Sequence, residues 1–244
     1  MNINELIAPG DPVRRVVAVI QARMASSRLP GKVLADLAGS PMLWHVVSRV
    51  RRAKLIDKVV VATSDRESDD PTAVFCEKES ISCFRGSEED VLDRYYRAAK
   101  WNGADVIVRV TADCPLIDPV VVDKVIDCFL SGEYDLVTNN LRHTFPVGLD
   151  TEVFSLAALE RAWVEARDSA DREHVSPYLR SSDEFRLQNV ENDVDLSSYH
   201  YHWVVNLPAE MEFARRVYAA LAEKPDFGME DVVALLECRP DISR

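Results

Sequence analysis

A single α/β domain, its sheet covered by helices on both faces, is what the 244-residue sequence predicts. Three observations predict it. Short β-branched runs alternate with helical patterns, as in right-handed βαβ units. The runs are apolar at nearly every position, as strands buried on both faces require. Several helical segments open on a side-chain cap followed by proline.

VVAVI (16–20) is the first strand. PMLWHVVSRVRRA (41–53) follows as a helix, with Met42, Leu43, Val46, Val47 and Val50 at helical spacing and Arg49, Arg51 and Arg52 largely on the other side. KVVVAT (58–63) is a strand, PTAVFCEKES (71–80) a helix and ISCF (81–84) a further short strand. SEEDVLDRYYRAAKW (87–101) is a helix, DVIVRV (105–110) a strand, PVVVDKVIDCFL (119–130) a helix and YDLVTN (134–139) a strand. Ser40-Pro41, Asp70-Pro71 and Asp118-Pro119 each place a cap before proline, and Ser87 with Asp90 resembles a capping box.

After about residue 140 the rhythm changes. DTEVF (150–154), FRLQNV (185–190) and HYHWVVN (200–206) read as strands, ALERAWVEA (158–166) as a helix, and helices close the chain at 209–224 and 229–237. No repeat or Gly/Ser linker divides the halves, so residues 14–244 are expected to form one domain. It has a first half over 14–140, a small β-rich subregion over 141–206 and closing helices over 207–244. Residues 1–13 are expected to be a loosely ordered tail.

Hydrophobic residues make up 47% and charged residues 29%, a globular balance. The formal charge of −12 argues against a nucleic-acid binder. No run is long enough for a membrane span, and the first fifteen residues lack the pattern of a secretory signal. Five cysteines without a CxxC pair suit reduced thiols, so a cytoplasmic protein without membrane insertion is expected.

The acidic average hides an asymmetry. Between Asp11 and Asp36 there is no acidic residue, yet Arg14, Arg15, Arg23, Arg28 and Lys32 all fall there. The segment from Gln21 to Lys32 directly follows the first strand, where open α/β sheets bind ligands. Two guanidiniums, an ammonium and the hydroxyls of Ser26 and Ser27 suit a polyphosphate, although a basic surface turn has the same composition. It is neither a Walker loop nor a GxGxxG fingerprint.

The segment Gln21-Ala-Arg-Met-Ala-Ser-Ser-Arg-Leu-Pro-Gly-Lys32 resembles the nucleotide-binding loop of sugar nucleotidyltransferases. Within them it is most similar to the cytidylyltransferases that activate nonulosonic acids and 3-deoxy-manno-octulosonate, in the spore-coat polysaccharide protein F branch. The likeness continues through GSPMLWHVVSRV (39–50), VVVATS (59–64), FRGSEEDVLDRYYRAA (84–99), RVTADCPLIDP (109–119), GLDTEVFS (148–155) and REHVSPYLR (172–180). It implies a three-layer, Rossmann-like nucleotidyltransferase fold of the glycosyltransferase-A kind with a mixed sheet. It also implies an enzyme that joins CTP and a sugar acid into a CMP-sugar, releases pyrophosphate, uses magnesium and forms a homodimer.

The same resemblance implies site roles. Arg23, Arg28 and Lys32 would grip the triphosphate, with Gln21, Ala22, Ser26 and Ser27 beside them and Arg85 and Arg94 near base and ribose. Asp113, in the strand-end Asp113-Cys114-Pro115 motif, would carry magnesium. Asn206 stands where the family has a second metal-binding aspartate, in Val205-Asn206-Leu207-Pro208-Ala209-Glu210-Met211. An amide oxygen can ligate the metal but brings no charge. Asp150 and Glu152, two apart on an expected strand, share a face and would supply charge or hold a sugar hydroxyl. Arg172 would pair the substrate carboxylate, with His174 beside it as a possible base. Substitution at Asn206 leaves a non-catalytic nucleotide- or sugar-binding relative as an alternative. A nucleotide-sugar glycosyltransferase is the other, although Asp193-Val194-Asp195 lies in a polar loop rather than at a strand end. His200 and His202 read as core or interface residues, His45 as structural, and Trp101, Trp163 and Trp203 as packing residues.

Overall fold

Alternation along the first strand sets the architecture. In β1 (Val16–Gln21), Val16, Ala18 and Ile20 join one apolar cluster and Val17 and Val19 another, so both faces are covered. Burying each such side chain contributes about 1.5–3 kcal/mol. The computed structural model describes residues 14–243, and the tail expected over residues 1–13 lies outside them.

The chain continues through β2 (Asp36–Leu37), β3 (Ser40–Pro41), α1 (Met42–Val50), β4 (Lys58–Ser64), α2 (Asp70–Lys78), β5 (Ser82–Gly86), α3 (Val91–Trp101) and β6 (Val106–Thr111). Next come α4 (Pro119–Leu130), β7 (Leu136–Thr138), β8 (Glu152–Ser155), α5 (Leu156–Glu165), α6 (Ser169–His174), α7 (Pro177–Ser181) and β9 (Leu187–Asn189). Two helices, α8 (Pro208–Ala220) and α9 (Met229–Cys238), follow. Seven strands form one mixed sheet in the order β5-β4-β1-β6-β8-β7-β9. β1 runs parallel to β4 and β6, and β8 is antiparallel to both β6 and β7. Residues of α1, α4 and α9 cover one face and residues of α3, α5 and α7 the other. The expected three-layer α/β architecture is therefore present.

β8 enters between β6 and β7, so the later strands extend the main sheet. Because β8 runs the other way, its first residue, Glu152, pairs with Arg109 near the end of β6. Gln21, Thr111 and Glu152 consequently gather at one edge of the sheet.

Several local expectations are corrected. The 200–206 segment is not a strand; it makes one isolated bridge, Val147 to His202, because it packs edge-on against the loop before β8. Gly148 allows that approach at φ +107°, and a Cβ there would stand 2.9 Å from the Trp203 carbonyl carbon. Two short helices, α6 and α7, occupy the REHVSPYLR stretch. Ser40 lies in the β2–β3 ribbon instead of capping α1, and Asp70 is already inside α2. Asp118 caps α4 as expected, through Val120 and Val121 N–H. The helix expected from residue 87 begins at Val91, because Asp90 accepts from Asp93 N–H and is itself the cap. Arg49 is buried, donating to the Ile117 and Phe227 carbonyls and lying over the Phe227 ring. Trp101 is 64% exposed and does not pack in the core, whereas Trp203 does. His200 and His202 are exposed rather than core residues, while His45 is buried with its ring against the Leu37 carbonyl.

Candidate functional site

The loop after β1 is folded by its own backbone. Met24 carbonyl accepts from Ser26 and Gly31 N–H at 2.9 Å each, and Gly31 takes φ +73°, which closes the turn. Met24 N–H in turn donates to Asp69 Oδ1 at 2.6 Å. Asp69 is fully buried, and its other oxygen accepts from the Ser64 amide and hydroxyl at the end of β4. It thereby ties the basic loop to the sheet edge. The sequence concealed this residue, since its neighbour Asp70 precedes the proline and looked like the cap.

The cations of the loop divide into two groups. Arg28 is exposed and makes no hydrogen bond or ion pair with another described residue. Arg23 is half-buried and donates to the Glu88 carbonyl at 3.2 Å. Ser27 is exposed beside Arg28, Ser26 accepts from Leu29 N–H, and Ala22 is buried where the loop leaves the strand. Lys32 turns inward and is only 7% exposed.

Lys32 Nζ donates to Asp113 Oδ2 at 2.9 Å, Asn206 Oδ1 at 3.0 Å and the Val205 carbonyl at 2.8 Å. The two residues expected at the metal thus meet, 93 positions apart in sequence, around a single positive charge. Val205 N–H donates to the Asp113 carbonyl at 2.8 Å, which fixes the 201–206 segment against the end of β6. Glu210 accepts from the amides of Asn206 and Leu207, holding the start of α8. Burial pushes the Asp113 carboxyl up, but the charge and hydrogen bond of Lys32 outweigh it and hold it below the ordinary aspartate value.

Oxygens of one carboxylate, one amide and one carbonyl converging on a cation are the hard donors that magnesium takes. No group of three or more His, Cys, Asp or Glu side chains able to hold a metal occurs among the described residues. Asp113 and Asn206 supply oxygens of that kind and are the residues that would hold magnesium; in this structure Lys32 Nζ holds them.

Arg94 carries a different signal. It is fully buried on α3, packed over Gly86 at the end of β5, and donates through Nη1 to the Ser87 carbonyl. Its Nε and Nη2 have no partner. Burial and the nearby Arg23 push its pKa down. Gln21 Oε1, at the end of β1, is likewise buried without a partner. Buried polar atoms without partners cost stability.

The remaining expected residues separate. Arg85 is occupied by the Ser64 and Arg66 carbonyls and by Asp70 Oδ1 at 2.7 Å, so it braces the end of β4. Asp150 lies in the loop before β8, accepting from Gly148 N–H at 3.1 Å with His143 at 3.6 Å. Glu152 points instead to Arg109 and Arg180, so the two acids do not share partners. Arg172 donates to Asp90 Oδ2 at 2.8 Å and to the Trp163 and Ala166 carbonyls, clamping α6 to α3 and to the end of α5. His174 is exposed beside it. An open depression of about 590 Å³ lies at the far edge of β4 and β5, lined by Lys58, Ser82 and neighbours, and contains none of these residues.

A family model described as cytidylyltransferase matches residues 17–221. The spore coat polysaccharide biosynthesis protein SpsF of Bacillus subtilis is 32% identical over 93% of this chain and 95% of its own. A solved cytidylyltransferase from Leptospira borgpetersenii superposes with a TM-score of 0.89 at 33% identity, covering 94% of this chain and 96% of that one. The 3-deoxy-manno-octulosonate cytidylyltransferase of Trichlorobacter lovleyi is 40% identical over 119 residues, 48% of this chain and 46% of the relative.

Proposed function

The chain belongs to the cytidylyltransferase family, and from that premise we propose that it joins CTP to a sugar acid, giving a CMP-sugar and pyrophosphate for surface-polysaccharide synthesis. The observation that carries the reading is the convergence of Lys32, Asp113 and Asn206 beneath a basic loop at the ligand-binding edge of the sheet.

In the reaction the sugar's anomeric hydroxyl gives up its proton to a base or to solvent, and its oxygen forms a bond to the α-phosphorus of CTP. The bond from that phosphorus to the bridging oxygen breaks, and pyrophosphate leaves with its electron pair. Charge accumulates on phosphate oxygens, so catalysis consists chiefly of positioning and cationic stabilisation. Arg23 and Arg28 hold the phosphates from the loop, with Ser26 and Ser27 as neutral donors. Lys32 supplies a point charge beneath them. Gln21 and Arg94 present their unpartnered atoms to the nucleoside end. Asp150, in the loop before β8, would hold a sugar hydroxyl. Magnesium held by Asp113 and Asn206 would neutralise phosphate charge. Pyrophosphate release from CTP, dependent on an added sugar acid, tests the whole reading; no release with any such acid contradicts it.

Asn206 tunes the metal. Asn206→Asp adds a second carboxylate to the donor set, and the half-saturating magnesium concentration is expected to fall about tenfold, the equivalent of roughly 1.4 kcal/mol. A magnesium titration of pyrophosphate release reads this directly, and an unchanged midpoint contradicts a ligand role for residue 206.

The five free cysteines and the CTP requirement support a cytoplasmic location. No helix of the described residues is long and apolar enough to cross a membrane. The chain is proposed to form a homodimer through the 141–206 region, where Leu141, Val194 and Tyr199 are exposed. Light scattering is expected to give twice the chain mass, falling toward one chain mass in a Val194→Asp, Tyr199→Asp variant.

A further inference from the structure

Three charged side chains from β6, β8 and α7 meet beside the candidate site. Glu152 is 2% exposed, and its Oε2 accepts from Arg109 Nη1 at 2.8 Å. Its Oε1 accepts from Ser176 Oγ at 2.8 Å and from Arg180 Nη2. Arg180 Nη2 also donates to Asn140 Oδ1. Two guanidiniums thus face one carboxylate, which leaves a unit of positive charge in excess.

The excess is accompanied by idle donors. Nε of Arg109 and Nε of Arg180 are buried without a partner. Their side chains are 18% and 28% exposed, so the cluster reaches the protein surface. Arg109 precedes Asp113 by four residues on the same chain segment, and the charge of Asp113 acts on it. The cluster therefore adjoins the expected reaction centre.

The backbone next to it is strained. Val175, β-branched, takes φ +72° and ψ −56°, and Ser176 N–H closes a tight turn to the His174 carbonyl. This is the rare form of the γ-turn, which persists where the surroundings over-determine it. Its effect is to hold Ser176 against Glu152 and to start α7, which carries Arg180.

We propose that Arg109 and Arg180 form the subsite for the carboxylate of the sugar acid, with Glu152, Ser176 and Asn140 positioning the two guanidiniums. The proposal rests on the reading of the chain as a CTP:sugar-acid cytidylyltransferase. An anion seated there meets two guanidiniums at once, as carboxylates do with bidentate arginines. Arg172, clamped between helices, is not required for this task.

The test is steady-state pyrophosphate release with CTP and two probe acids, 3-deoxy-manno-octulosonate and N-acetylneuraminate, each also as its methyl ester. CTP binding is measured separately by calorimetry. Loss of one charge-assisted contact weakens binding roughly 10- to 100-fold. Arg180→Gln is expected to raise the KM for the acid by about that factor while the KM for CTP stays within about twofold, and Arg180→Lys should recover part of the loss. The wild-type protein should discriminate acid from ester, and Arg180→Gln should largely lose that discrimination. The ester comparison on the unaltered protein keeps the test independent of whether a variant folds. An Arg180→Gln enzyme that still separates acid from ester like the wild type overturns the subsite and leaves the cytidylyltransferase reading intact. CTP binding without release from either acid also overturns the subsite. Absence of both CTP binding and release overturns the proposed function and the subsite with it.

Discussion

Arg94→Met is expected to weaken CTP binding by about 10- to 100-fold, the worth of a charge-assisted contact, while the melting temperature stays level or rises. The two effects have one origin. The Arg94 guanidinium is fully buried and, among the described residues, has the Ser87 carbonyl as its one hydrogen-bond acceptor and leaves Nε and Nη2 unpaired. Each unsatisfied buried group costs about 1–3 kcal/mol, which an apolar side chain of similar length relieves. Desolvation also disfavours the charge, and Arg23 adds repulsion. Thermal melting and CTP calorimetry on the same variant separate the alternatives. A variant that unfolds at lower temperature yet binds CTP normally contradicts the assignment.

Lys32→Met is expected to lower kcat by roughly 10²–10³, the usual effect of removing one preorganised electrostatic stabiliser. Here the ammonium also organises the site, since Asp113, Asn206 and the Val205 carbonyl all accept from it. Its removal leaves the Asp113 carboxylate, 24% exposed, without its cation, at a cost of up to about 3 kcal/mol. The pH dependence has a definite sign. In the wild type the Asp113 carboxyl titrates below its unfolded value, so the pair contributes stability above about pH 4, and that contribution is lost as pH falls through the folded pKa. Without Lys32 the desolvation is opposed only by the Thr111 and backbone hydrogen bonds, so the carboxyl titrates higher than in the wild type. The stability gap between wild type and variant should therefore be widest near neutrality and narrow as pH falls below about 4. Urea unfolding at pH 7 and at pH 3.5 measures both ends, and a gap independent of pH contradicts the pairing as the source of stability.

The main sheet was readable because its strands are apolar runs with β-branched residues on both faces, a local property. The position of β8 was not, since an antiparallel insertion between β6 and β7 leaves the same local pattern as a neighbouring parallel strand. The alternation in HYHWVVN imitated a strand, but Trp203 and Val205 turn inward from an extended loop. In the site, the basic loop and Asp113 stood out because charge was cleared from around the one and placed at a strand end in the other. Arg109 and Arg180 were hidden: one sits in an apolar strand, the other in a helix of five residues, and their meeting over Glu152 exists only in the tertiary fold. Asp69 was masked by the proline two residues after it.

Calorimetric titration with CTP, ATP, GTP and UTP, with and without magnesium, tests the central claim most directly. Membership of the cytidylyltransferase family predicts that CTP binds in preference to the other three, and the arrangement of Lys32, Asp113 and Asn206 predicts tighter binding with magnesium. Binding that ignores the base, or an absence of nucleotide binding under either condition, would contradict it.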